Sequence, residues 1–329
     1  MPQILYKMKL FLPLYILLFL VLALGGCSNE PPGGSPPGYD LGAPEKFVLD
    51  EELHEISGIC FNGGKADTIY AIEDEDGEIF HFHVGDRRWP SVKFGKRGDY
   101  EDVTILDRGP DADAAGPAGA GPAAAERGAA RASKRIVVLR SDGSLFEFPI
   151  GFIADRNRDS VLAYEQLLPD GEYEGLFGDE DGSLVALCKK CSEDKDREQA
   201  TGYTIRSNEQ GRLAVQGKFV VDVRGVPMST ATKKKLKFHP SGIARHPLTK
   251  EWYIISAVNK VLLIVDDQWK VKSSWQLNVN LFKQPEGICF DSKGNLYISN
   301  EGDEGDANIL VFRYNQSTIY EKKKDRKNH

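Results

Sequence analysis

The chain has 329 residues, 41% of them hydrophobic, and a formal net charge of −7. That is ample apolar material for one large core. The acidic balance argues against nucleic acid as a partner: phosphate binding needs clustered cations, and the basic runs Lys233–Lys235 and Lys322–Lys327 read as solvated charge.

The first element is a leader. Lys7 and Lys9 precede the apolar run Leu10–Leu24, which Leu24–Gly25–Gly26–Cys27 closes. A basic start, an apolar stretch and small residues at a cleavage point make residues 1–26 a secretory signal. The run falls short of the ~20 apolar residues of a membrane span and contains Pro13. Leu24–Cys27 resembles the bacterial lipobox, whose cysteine becomes the lipidated first residue of the mature chain. Cys27 is therefore expected to carry lipid and to tether the protein in the cell envelope, at the inner or the outer membrane. Losing residues 1–26 removes two lysines and no acid, leaving −9. Membrane attachment would come from the lipid and not from a basic patch.

Residues 27–44, with Pro31, Pro32, Pro36 and Pro37, read as a Pro/Gly-rich linker. Lys46–Leu49 reads as a lone strand. After it, runs with the two-residue period of half-buried strands fall into groups. The first group is Ser57–Phe61, Thr68–Ile72, Glu78–His83 and Ser91–Phe94. The second is Glu101–Leu106, Arg135–Leu139, Ser144–Pro149 and Val161–Leu167, interrupted by Gly109–Ser133. That insertion is dominated by Ala, Gly and Pro, has no apolar period and cannot bury itself, so it reads as a disordered loop. The third is Glu174–Phe177, Ser183–Leu187, Gly202–Arg206 and Lys218–Val223; the fourth is Ser241–Arg245, Trp252–Ile255, Val261–Val265 and Ser273–Asn278. The fifth has three strands, Gly287–Asp291, Leu296–Asn300 and Ile309–Phe312, and residues 316–329 form a basic polar tail.

Each group opens on one short core: Ser57–Gly58–Ile59, Glu101–Asp102–Val103, Glu174–Gly175–Leu176, Ser241–Gly242–Ile243 and Glu286–Gly287–Ile288. The outer cores lie about 45 residues apart, the length of a four-stranded propeller blade, and the inner spacings are longer through insertions. The expected fold is all-β, a five-bladed β-propeller over residues 45–315. Lys46–Leu49 would supply the missing fourth strand of the last blade, closing the ring and removing exposed sheet edges. Six blades would need one with no recognisable core and rank second.

Glu55–Ile59, Gly98–Val103, Leu139–Gly143, His239–Ile243, Gln284–Ile288 and Tyr297–Gly302 together resemble the SdiA-regulated (YjiK-like) domain family. The resemblance runs from about Tyr39 to Tyr314. It implies a five-bladed propeller distantly similar to NHL-repeat propellers, with a calcium-binding site and no established activity. The Ala-rich insertion departs from the family pattern but leaves the motifs whole.

In a propeller the first strand of each blade lines the channel, so Ser57, Glu101, Glu174, Ser241 and Glu286 should converge on one mouth. Three carboxylates brought to one axis must either take up protons or share a cation. An all-oxygen site suits Ca²⁺, which accepts 6–8 oxygen ligands in loose geometry. The expectation is a calcium ion on Glu101, Glu174 and Glu286, with Ser57, Ser241 or water completing the shell. Glu73–Asp76 and Glu301–Asp306 read instead as polar hairpin turns. Cys60 and Cys289 share one repeat position, as small buried strand residues. Cys188 and Cys191 could form a disulfide in an oxidising compartment; zinc would need a second ligand pair that the sequence does not offer.

Two functions are consistent with this pattern. One is a calcium-stabilised module that binds a cell-envelope ligand or protein. The other is a calcium-dependent hydrolase of esters, lactones or phosphoesters, in which His239 is the one base near the ion by register. No Gly–x–Ser–x–Gly elbow or phosphate-cradling glycine motif is present. The sequence shows no pairing of a base with the ion, so the binding module is preferred and no catalytic residue is named.

Overall fold

Twenty strands pair into five four-stranded antiparallel sheets in a computed structural model that describes residues 34–108, 134–194, 198–226, 238–302 and 305–315. The expected leader, Cys27, the insertion at 109–133 and the tail at 316–329 lie outside the described residues. Blade one is β2 (Ile56–Asn62), β3 (Lys65–Glu73), β4 (Glu78–Phe82) and β5 (Ser91–Lys93). Blade two is β6 (Tyr100–Asp107), β7 (Lys134–Arg140), β8 (Leu145–Pro149) and β9 (Leu162–Tyr164); blade three is β10 (Gly171–Gly178), β11 (Leu184–Cys191), β12 (Gln199–Ser207) and β13 (Leu213–Asp222). Blade four is β14 (Gly242–Arg245), β15 (Trp252–Ser256), β16 (Val261–Val265) and β17 (Val271–Gln276). Blade five is β18 (Pro285–Phe290), β19 (Leu296–Asn300) and β20 (Asn308–Phe312), and β1 (Glu45–Val48) pairs with β20 as its outermost strand, Glu45 opposite Val311.

Alternation along each strand puts one apolar row against each neighbouring blade. The result is five apolar clusters, one per blade interface. The innermost strands meet in a ring, β2–β6–β10–β14–β18 and back to β2. Here the repeated glycine has its reason. A Cβ on Gly58 would lie 2.5 Å from Asp102 Cα, and one on Gly287 would lie 2.5 Å from Ser57 O and 2.9 Å from Ile59 N. At these two interfaces one blade's backbone passes directly against the next, and only hydrogen fits.

Blade two carries Asp102 at that position, and the carboxylate does the bridging. Its Oδ2 accepts from Leu176 N of blade three at 2.7 Å, and its Oδ1 accepts from Val103 N at 2.8 Å. Burial pushes this acid well above its ordinary range, opposed by the two N–H donors. Hydroxyls brace other interfaces: Ser241 donates to Pro285 O at 2.7 Å, and Ser299 donates to Ser57 O at 2.8 Å. Asp102→Ala should lower stability by about 1–3 kcal/mol, because Leu176 N–H is left buried and unpaired. Denaturant unfolding with an unchanged midpoint would refute that bracing role.

Several local features differ from the sequence expectation. Residues 34–44 are not free spacer. Tyr39 and Leu41 sit in the cluster between blades four and five, and the Tyr39 hydroxyl donates to Gly294 O at 2.5 Å. An aromatic and an aliphatic side chain within the Pro/Gly stretch give it something to bury. The fourth strand of blade two, Leu162–Tyr164, is shorter than Val161–Leu167, and the connection before it forms helix α1 (Phe152–Asp155), which docks Phe152 in the core. In blade three, β12 and β13 run longer than expected. One face of β13 is solvated, which hides it from an apolar-period reading.

The insertion leaves the ladder untouched, since Asp107 and Lys134, on either side of it, are register partners. Arg108 donates to the buried Glu147 at 2.6 Å and to Gly211 O at 2.5 Å, while Lys134 donates to Asn62 Oδ1 at 2.7 Å. Both stumps of the loop are pinned. Cys188 and Cys191 are disulfide-bonded, with their Cα atoms 5.8 Å apart, and Cys60 and Cys289 are free and buried in equivalent places.

Candidate functional site

Because the glycine contacts join like positions of successive blades, the five innermost strands run the same way along the channel. Ser57, Glu101, Glu174, Ser241 and Glu286 therefore open one mouth. The second strands run back to that same end and deliver Glu73–Asp74, Lys189 and Asn300–Glu301. The mouth is thus built by two strands per blade, of which the repeated core marks only one.

At its centre is a lysine. Lys189 Nζ pairs with Glu174 Oε1, and its charge also acts on Glu101 and Glu286. Glu174 is only 6% exposed, and its Oε2 is buried without a hydrogen-bond partner. Burial first, then Asp99, Glu286 and Asp74, pushes the Glu101 carboxyl up to about 9 against the pull of Lys189. Burial pushes Glu286 up to about 7, with Glu301 adding to it while Lys189 and Lys260 hold it down.

On the blade-one side stands a second acidic group. Glu55, Glu73 and Asp74 each offer a carboxylate oxygen within 4.8 Å of the others. Burial, then Glu55, Glu73 and Glu301, pushes Asp74 up to about 7. Asp74 Oδ1 is buried and unpartnered, whereas Glu73 accepts from Glu75 N at 3.0 Å and from Asp76 N. Glu73 does shape the hairpin turn that the sequence indicates. It also joins the mouth.

The structure thus brings Glu101, Glu174 and Glu286 to a common place but does not assemble the five-residue shell. An ammonium group already holds Glu174. The Ser241 hydroxyl is spent on Pro285 O and accepts from Ala257 N, and Ser57 lies buried, with its carbonyl taken by Ser299. Among the described residues the tightest carboxylate group is Glu55, Glu73 and Asp74, which the core motif does not contain. Glu55 lies inside the Glu55–Ile59 motif, and Glu73 and Asp74 lie in the Glu73–Asp76 run that the sequence reads as a polar hairpin turn. Asp74 and Lys189 lie at the far ends of second strands, where no repeated motif marks them. His239 is tied in through its backbone: its N–H donates to Asn259 Oδ1 at 3.0 Å and its carbonyl accepts from Ser256 at 2.5 Å.

The other mouth holds a cavity of about 450 Å³, lined among others by Cys60, Ile105, Phe177, Cys289 and Phe290. Its rim charges pair with one another, Arg245 with Asp179 and Lys250 with Glu180. His246 beside it is fully buried, and its Nδ1 accepts from Leu248 N and Thr249 N at 3.1 Å each. Burial holds its ring down to about 4, so it stays neutral near neutrality.

Residues 227–303 match the SdiA-regulated family model, a stretch that includes the His239–Ile243, Gln284–Ile288 and Tyr297–Gly302 motifs. No curated protein sequence matches the chain. Among solved structures, virginiamycin B lyase from Staphylococcus aureus is similar at 11% identity over 82% of this chain and 70% of that one, with a TM-score of 0.40. The PQQ-bound aldose sugar dehydrogenase of Streptomyces coelicolor is similar at 12% identity over 85% of this chain and 100% of that one, with a TM-score of 0.45. These likenesses concern fold alone.

Proposed function

We propose, for a β-propeller whose residues 227–303 are of the SdiA-regulated type, a binding module that holds a divalent cation at the acidic mouth of its channel. The carrying observation is a pair of buried oxygens, Glu174 Oε2 and Asp74 Oδ1, left without hydrogen-bond partners where carboxylates outnumber cations. Orphaned buried acceptors cost free energy that a cation would recover. The donors are all oxygen, which selects a hard ion, and their loose placement on several strands suits Ca²⁺ better than the strict octahedron of Mg²⁺. Glu101, Glu286 and Glu174 would hold it, with Asp74, Glu73 and Glu55 at the adjoining edge. Such an ion ties together strands of separate blades.

The leader and Cys27 support lipid anchoring in the cell envelope, where the propeller would present its loops to a ligand or protein partner of that compartment. The hydrolase alternative needs a base poised beside the ion. His239, the candidate by register, is held through its backbone to Asn259 and Ser256.

Calcium should raise the unfolding temperature, more at pH 8 than at pH 6, because protons on Glu101, Glu286 and Asp74 must leave before the ion binds. EDTA should reverse the rise and Glu286→Gln should abolish most of it. An unaltered protein that ignores millimolar calcium at pH 8 refutes the proposal. Calcium-dependent turnover of an ester or lactone, lost in Glu286→Gln, would favour the hydrolase.

A further inference from the structure

Lys189 and Lys190 stand side by side on β11 and do opposite things. Lys190 turns outward to pair with Glu172, both about half exposed, while Lys189 turns inward to the buried Glu174. The Cys188–Cys191 disulfide straddles the two and lies over Gly171, where a Cβ would meet Cys188 Sγ at 2.9 Å and Cys191 Sγ at 3.1 Å. The register of β10 against β11 shifts twice here, at Glu172/Tyr173 and at Tyr173/Gly175. A free strand end could splay. Here the disulfide closes a short loop within β11 itself, and that loop constrains the backbone that carries the two lysines and with it which lysine faces the channel.

We infer that Lys189 is a tethered counter-ion of the acidic mouth, seated by the disulfide, that an incoming divalent cation must displace from Glu174. The inference rests on the cation reading above. It assigns selectivity to a residue that is not itself a ligand. The tethered ammonium is present at high effective concentration and carries the same charge as a monovalent ion, so sodium or potassium gains little by replacing it. A divalent ion brings twice the charge and can engage several carboxylates at once, so it can displace the lysine. The groups facing Lys189 are Glu174 from its own sheet, Glu101 from blade two and Glu286 from blade five.

The test is calorimetric titration of calcium at pH 7.5 into the folded protein, its Lys189→Met and Lys189→Arg variants, and the double variant Cys188→Ser/Cys191→Ser. Removing a unit positive charge beside the ion should tighten calcium binding ~10-fold in Lys189→Met and let sodium compete measurably. Lys189→Arg should stay close to the unaltered protein, and the double serine variant should fall between. A lysine that merely propped up the mouth would instead loosen calcium on removal. Equal or weaker binding in Lys189→Met, with calcium still bound by the unaltered protein, overturns the tethered-ion role and leaves the cation site standing. Calcium bound by none of the four overturns both.

Discussion

Gly58→Ala should lower the unfolding temperature by roughly 6 °C or more, a loss of at least about 3 kcal/mol. The new Cβ would lie 2.5 Å from Asp102 Cα and 2.7 Å from Val103 N, both backbone atoms of the next blade's innermost strand. No rotamer change relieves such a clash, so the ring must open between blades one and two. A closed ring has no free edge to absorb the shift. Gly151→Ala is the matched control: the nearest atom to its Cβ would be Asp155 Oδ2 at 3.9 Å, and its stability should change by no more than about 0.5 kcal/mol. Equal thermal midpoints for the two variants would refute the close-approach account of the repeat.

Glu101→Gln should do the opposite and stabilise the protein, by about 2–4 kcal/mol at pH 8 and hardly at all at pH 4.5. Glutamate ordinarily titrates near ~4.3, and burial with acidic neighbours pushes Glu101 up to about 9. Between those values the folded state holds the proton more tightly than the unfolded one. Stability is therefore full below the unfolded value and is lost as pH rises through the window. Glutamine keeps the shape and cannot ionise, so the decline disappears. His246 acts in the other direction. Its ring is held down to about 4, so its contribution is lost as pH falls from its ordinary value towards 4. Denaturant unfolding of protein and variant at pH 5 and pH 8 measures the difference; a gain independent of pH would show that Glu101 is not the titrating group. The same substitution should weaken calcium binding, so stability gained at the mouth would be function lost there.

The blades were legible because a propeller repeats a local pattern. Strand alternation, the hairpin turns and the glycine at each blade's core are set within a few residues and written five times, with Asp102 as the one exception that carries its own bridge. The lone strand Lys46–Leu49 was legible by deficit, since the last group had three strands where the others had four. Less visible were elements whose burial comes from elsewhere. Tyr39 and Leu41 look like linker residues until blades four and five give them a cleft. Phe152 looks like part of a connection until the core between blades one and two takes its ring.

The candidate site divides along the same line. Sequence alone placed Glu101, Glu174 and Glu286 at equivalent starts of innermost strands, and so at one end of one channel. That follows from the repeat. Only the folded ring decided that Lys189 stands among them, that Asp74 joins Glu55 and Glu73 beside them, and that the Ser241 hydroxyl is occupied in holding blades together. Those residues sit one strand outward and return to the mouth by hairpin geometry, so their meeting depends on how far each strand runs before it turns. The period along the chain says nothing of that length. Distances across the ring do.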